Sequence, residues 1–174
     1  MRHHLLLLGL LLVGSCRKTG ELPPFAWDPV RHTWPTNPLV EVCHNAPVTH
    51  FEVQWALDVW AEHGAPHLQA VPSHCYSKLE DYTVYVDLPS AEEHAEHWTS
   101  QVIGLTGVYF SKGTRVPIAA DVHLLTDDRR VLVHEIGHIW FPNHYPGEDH
   151  VMSEWLRGFS WDGWEGVERA FRRR

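Results

Sequence analysis

Cysteine, methionine and positive charge are all scarce in this chain. Three Cys and two Met are spread over 174 residues, and one Met is the initiator. Three cysteines allow one internal pair at most. The formal net charge of −8 excludes a general nucleic-acid role. Beyond the N-terminus no apolar run approaches the roughly 20 residues a membrane span needs. No segment repeats. What is abundant is aromatic: nine Trp, five Tyr and six Phe in a chain that is 44% hydrophobic. Those numbers point to one domain with a core built on large rings, and Arg172-Arg173-Arg174 reads as a solvated end.

Residues 1–15 read as a targeting segment. Arg2, His3 and His4 precede the apolar run Leu5 to Val13, and Val13-Gly14-Ser15-Cys16 follows. The order of positive region, apolar run and small-residue box before Cys resembles a bacterial lipoprotein signal. The resemblance implies cleavage before Cys16, lipid attachment to it, and a protein anchored to a membrane facing the periplasm or cell surface. Cys43 and Cys75 then remain in an oxidising compartment, where a disulfide between them is expected. Residues 16–38 hold Pro23, Pro24, Pro29, Pro35 and Pro38. They read as a tether, partly packed through Phe25, Trp27 and Trp34.

From residue 39 onward the pattern alternates between strand and helix. Leu39 to Cys43 is short and β-prone. Thr49 to His63 reads as a helix with a Thr49/Glu52 capping box and Gly64 at its end. Its core stripe is expected at Val48, Phe51, Trp55 and Val59, beside Ala56 and Trp60. Tyr82 to Leu88, Ile103 to Phe110 and Ala119 to Leu125 read as strands, with Lys112-Gly113-Thr114 as a turn. Pro89 to Trp98 is a polar stretch whose His94 and His97 suit a solvated helical face better than a metal. Asp127 to Trp140 reads as a helix capped by Thr126 or Asp127, with Leu132, Ile136 and Ile139 inward. Residues 145–160 read as loop, and Asp162 to Arg173 as a terminal helix packing Trp164, Val167 and Phe171. The fold class is α+β, with one twisted mixed sheet and helices on it.

The chemistry concentrates in His134-Glu135-Ile136-Gly137-His138 and the residues after it. Histidines at i and i+4 share one helical face, so both imidazoles reach one Zn²⁺. Glu135 lies beside the first ligand, placed to take a proton from a water activated by the ion. A structural zinc site has no use for that carboxylate. With 15 His, composition alone yields such a motif somewhere with a chance of roughly one in ten. His144, six residues after His138, and Met152, eight further on, together reduce that to about one in ten thousand.

These residues resemble the metzincin zinc endopeptidases, whose pattern is HExxHxxGxxH followed by a Met-containing turn. His134, His138 and His144 fall on the ligands, Glu135 on the catalytic base, and Met152 on the Met-turn. The spacing from His144 to Met152 is most similar to the matrixins. Ala56 to Trp60, Ala120 to His123 and Phe159 to Asp162 resemble other matrixin stretches, so the likeness spans about residues 39–173. It implies one catalytic Zn²⁺ and hydrolysis of peptide bonds. It further implies an extended peptide substrate lying along an edge strand at Gly107, Val108, Tyr109 and Phe110. Ser153 to Ser160 then wall the pocket, and Tyr145 is a rim candidate for which aromatic packing is favoured. The resemblance also raises a second, structural metal at His123, although a strand histidine satisfied by the protein is the favoured reading. No separate pro-segment is expected, since only Cys16 lies upstream. A monomer is expected.

The chain departs from the pattern where Phe141 stands in place of the glycine. Pro142 stops the helix, and a modified turn is expected, with Asn143 supplying a positive φ. Substitutes for His144 as third ligand are Glu148, Asp149 and His150. Three other functions stay open: a gluzincin-type protease with Glu165 or Glu168 as third ligand, a non-catalytic zinc-binding lipoprotein, and an inactive metzincin descendant.

Overall fold

A computed structural model describes residues 31–75, 81–91, 102–154, 156–164 and 166–172. The signal segment, Cys16, Phe25, Trp27, His94, His97 and Glu165 lie outside the described residues. Strand β1 (Leu39–Cys43) leads to helix α1 (His50–Glu62), then β2 (Ala70–Ser73) and β3 (Thr83–Asp87). Strands β4 (Gly104–Phe110) and β5 (Pro117–Leu124) precede helix α2 (Arg129–His138). A 3₁₀ turn at Leu156–Gly158 and helix α3 (Val167–Arg172) follow. The strands form one sheet in the order β2-β1-β3-β5-β4. Four run parallel, and β4 pairs antiparallel with β5, Thr106 opposite Val122. The architecture is therefore α+β with a mixed five-stranded sheet and, among the described residues, three helices.

Strand β2 is absent from the sequence reading. It is four residues long and contains Pro72, which lacks the N–H a central strand needs. Its position at the sheet edge removes that requirement.

Helix α1 starts where expected. Thr49 N donates to Glu52 Oε2 at 2.8 Å and Glu52 N to Thr49 Oγ1 at 3.3 Å, a reciprocal capping box. The buried stripe is the expected one only in part: Val48, Ala56 and Trp60 are buried, and Trp55 and Val59 are half-buried. Val53, Ala56, Leu57 and Trp60 face the core, whereas Phe51 is 73% exposed. Two neighbouring rows of this helix are apolar, and packing against α2 and the sheet selects the second. Trp55 stays half-buried, with the Arg129 guanidinium 5.0 Å from its ring centre. Fully buried Trp60 donates from Nε1 to Val133 O at 2.8 Å, joining α1 to α2.

The cap of α2 is Asp128, one residue beyond the expected pair. Its carboxylate accepts from Arg130 N at 2.9 Å, while Thr126 Oγ1 accepts from Asp128 N at 3.2 Å. Leu132, Ile136 and Ile139 are buried as expected. Helix α3 is shorter than its sequence pattern, because residues 160–164 form turns (Gly163 N to Ser160 O, Trp164 N to Asp162 O). Any side chain at Gly163 would enter the Asp149–His150 backbone, with Asp149 O 2.1 Å from a built Cβ. Trp164, Val167 and half-buried Phe171 do pack as expected.

Cys43 and Cys75 form a disulfide that joins the end of β1 to the segment after β2. Residues 31–34 lie against the last turn of α2. His32 N donates to Trp140 O at 2.7 Å and Trp34 Nε1 to Ile139 O at 3.0 Å. They satisfy carbonyls that a helix C-terminus leaves without partners.

Candidate metal centre

His134 and His138 project from one face of α2, four residues apart. Each donates its Nδ1–H to a main-chain carbonyl: His134 to Val151 O at 3.0 Å, His138 to Phe141 O at 2.8 Å. A carbonyl only accepts, so these bonds fix the tautomer and leave both Nε2 atoms as bare lone pairs. The chain turns back after α2 and brings His144 to the same point. His138 Nε2 lies 3.2 Å from His134 Nε2 and 3.2 Å from His144 Nε2. The ligand atoms of all three lie within 4.8 Å of one another.

Lone pairs facing at that distance repel unless a cation sits between them. Tetrahedral zinc at roughly 2.0–2.1 Å from nitrogen sets its ligands about 3.3–3.4 Å apart, close to what is seen. Burial lowers the pKa of all three: His134 to about 4, His138 well below its ordinary value, and His144 in the same direction. The rings are thus neutral ligands at neutral pH. The donor set fits zinc.

Glu135 points from α2 to β4. Burial pushes its carboxyl up to about 7, against the opposing pull of Thr106 and of charge on His123. The Thr106 hydroxyl reaches Glu135 Oε2 at 2.8 Å and Glu135 O at 2.9 Å. Gly104 leaves the space: a Cβ there would stand 2.6 Å from both Cγ and Oε1 of Glu135. Neither Thr106 nor Gly104 is singled out by sequence reading, since nothing local in β4 signals a partner on α2.

Met152 is fully buried. Its Sδ would lie 2.5 Å from a Cβ built at Gly137, so the glycine inside the motif admits both Met152 and the Trp60 ring.

The turn after α2 is not left-handed at Phe141 or Asn143. Among the described non-glycine residues positive φ occurs at Cys75, Tyr82 and Asp149. Instead the last turn tightens, with Trp140 N and Phe141 N both donating to Gly137 O, at 3.1 and 3.0 Å. Phe141 is fully buried against Trp60 and Phe171, with ring centres 5.9 and 5.3 Å away. It is a core residue.

The remaining candidates sort by contact. Gly107, Val108, Tyr109 and Phe110 form the second half of edge strand β4 and are half-buried. Tyr109 Oη donates to Asp121 Oδ2 at 2.7 Å, and Phe110 meets the His32 ring edge-on. Tyr145 stacks on His150 at 4.2 Å, an aromatic packing role. His123 Nδ1 donates to Asp87 Oδ1 across β5 and β3. Among the described residues the one cluster able to hold a metal is the three-histidine set. Glu148 faces Arg157, and Glu168 binds His63 at 3.1 Å and Arg172 at 3.2 Å, so neither replaces His144.

No family model matches the chain, and no curated protein matches it.

Proposed function

We propose that the chain is a zinc-dependent endopeptidase of the metzincin type, most similar to matrixins, tethered by an N-terminal lipid at a bacterial cell surface or periplasm. One observation carries the reading. A buried carboxylate, Glu135, follows the cluster residue His134 in the chain and is held by Thr106 of strand β4. His134, His138 and His144 would hold the zinc, which when bound would supply Lewis acidity to a substrate carbonyl and to a water. Glu135 would serve as the base that takes a proton from the attacking water and as the acid that returns it to the leaving amine. Thr106 fixes the carboxyl, while Val151 O and Phe141 O fix the imidazoles. Among the described strands β4 is at the sheet edge, and Gly107 to Phe110 would offer main-chain groups to an extended peptide, which gives affinity with little demand on sequence. The Cys43–Cys75 disulfide supports an oxidising compartment, in keeping with Cys16 as a lipid site. No described helix is long and apolar enough to cross a membrane.

The test is cleavage of a denatured protein and a broad peptide library by zinc-loaded protein, with and without chelator. Cleavage that chelator abolishes and zinc restores is expected. A loaded protein that leaves every peptide uncut contradicts the endopeptidase reading.

A further inference from the structure

The peptide group between Val151 and Met152 is held at both ends by histidine. Its carbonyl accepts from His134 Nδ1–H at 3.0 Å, and its N–H donates to His150 Nδ1 at 2.9 Å. A peptide group is rigid and planar, so a bond at each end fixes the direction in which its carbonyl points. They also polarise in one direction, from the His150 lone pair through the amide to the His134 ring. His150 is itself locked. It is 1% exposed, stacks on Tyr145 with ring planes 10° apart, and Tyr145 N donates to Met152 O at 2.7 Å. An apolar residue would fill the same volume. It would not accept from Met152 N–H, and a buried donor would lose its partner.

We propose that His150 is a positioning residue for the metal centre. Through the Val151–Met152 peptide it sets the aim of the carbonyl that holds His134 in its ligating tautomer. The inference rests on the reading of His134, His138 and His144 as metal ligands and is independent of peptide hydrolysis.

Two measurements test it. The first is the zinc dissociation constant, by competition with a chromophoric chelator, in the wild type, His150→Leu and His150→Asn. Leu keeps the bulk and loses the acceptor, whereas the Asn carbonyl stands near the place of Nδ1. Loss of an outer partner of this kind costs about 10- to 100-fold in metal affinity. At one further remove a loss of about tenfold is expected in His150→Leu, with most of it recovered in His150→Asn. No loss in His150→Leu, or equal loss in both, overturns the inference. The second needs no variant and decides the matter if His150→Leu fails to fold. Nitrogen NMR of the wild type should show His150 protonated at Nε2, with coupling from the Met152 amide to Nδ1 across the hydrogen bond. A proton on His150 Nδ1 overturns it. A wild type that binds no zinc removes the metal-centre reading itself, a separate outcome.

Discussion

Glu135 lies so close to the backbone of β4 that Gly104 has no room for a side chain. Gly104→Ala therefore displaces the carboxyl or the strand. The expected result is at least a tenfold loss of turnover with zinc stoichiometry unchanged, read by peptide cleavage and metal analysis on the same sample. Zinc loss together with activity would place Gly104 in the support of the histidines instead. At this scale the sequence was informative about ligands and silent about their partners. His134, Glu135 and His138 share a helix, so spacing alone places them. Thr106 is 29 residues from Glu135, and only the sheet brings them together. Val151 O and Phe141 O contribute main-chain atoms, which no side-chain pattern announces.

Helices and turns show where local signals suffice and where packing overrides them. The α1 capping box is complete in its own four residues and is found as expected. Thr49→Ala should cost about 1 kcal/mol in denaturant unfolding. In the stripe of α1 Phe51 was misplaced because it is as apolar as the residues that win the core. Helix α3 begins late because Gly163 must pass the Asp149–His150 backbone, a tertiary constraint. The clearest case is Phe141. Its departure from the motif suggests damage, yet the side chain fills the space between Trp60 and Phe171. Phe141→Gly, which installs the motif residue, is expected to destabilise the domain by about 3–5 kcal/mol. A variant as stable as the parent would show that the ring contributes little to the core.

Considered as a whole, the molecule joins the metal centre to stability through protonation. The unfolded chain binds protons at its three histidines near pH 6.5, and the folded, metal-free chain does so only at lower pH. Stability from these groups is thus complete above about 6.5 and falls as pH drops toward 4. Glu135 acts in the opposite sense. Its folded pKa, about 7, lies above the ordinary 4.5, so its contribution is present at low pH and is lost as pH rises through 7. Three histidines outweigh one carboxyl. Urea midpoints of the chelator-treated protein should fall between pH 7 and 5, and more steeply in Glu135→Gln. The boundary of the domain also belongs to this scale. Proline content suggests a tether up to residue 38, yet His32 and Trp34 bond the end of α2. Removing residues before 39 should cost roughly 2 kcal/mol, about 1 for each lost hydrogen bond. Equal stability of the truncated chain would return residues 31–34 to the tether.

The proposed function divides the work between three imidazoles that hold a metal and the Glu135 carboxyl that transfers protons. Glu135→Gln keeps the shape of the side chain and removes its basicity. Zinc per chain and peptide turnover, measured on one preparation of this variant and of the parent, test that division of labour most directly. One zinc in each protein, with turnover reduced by about 10²–10⁴-fold in the variant, is predicted. Undiminished cleavage by the zinc-loaded variant would contradict it.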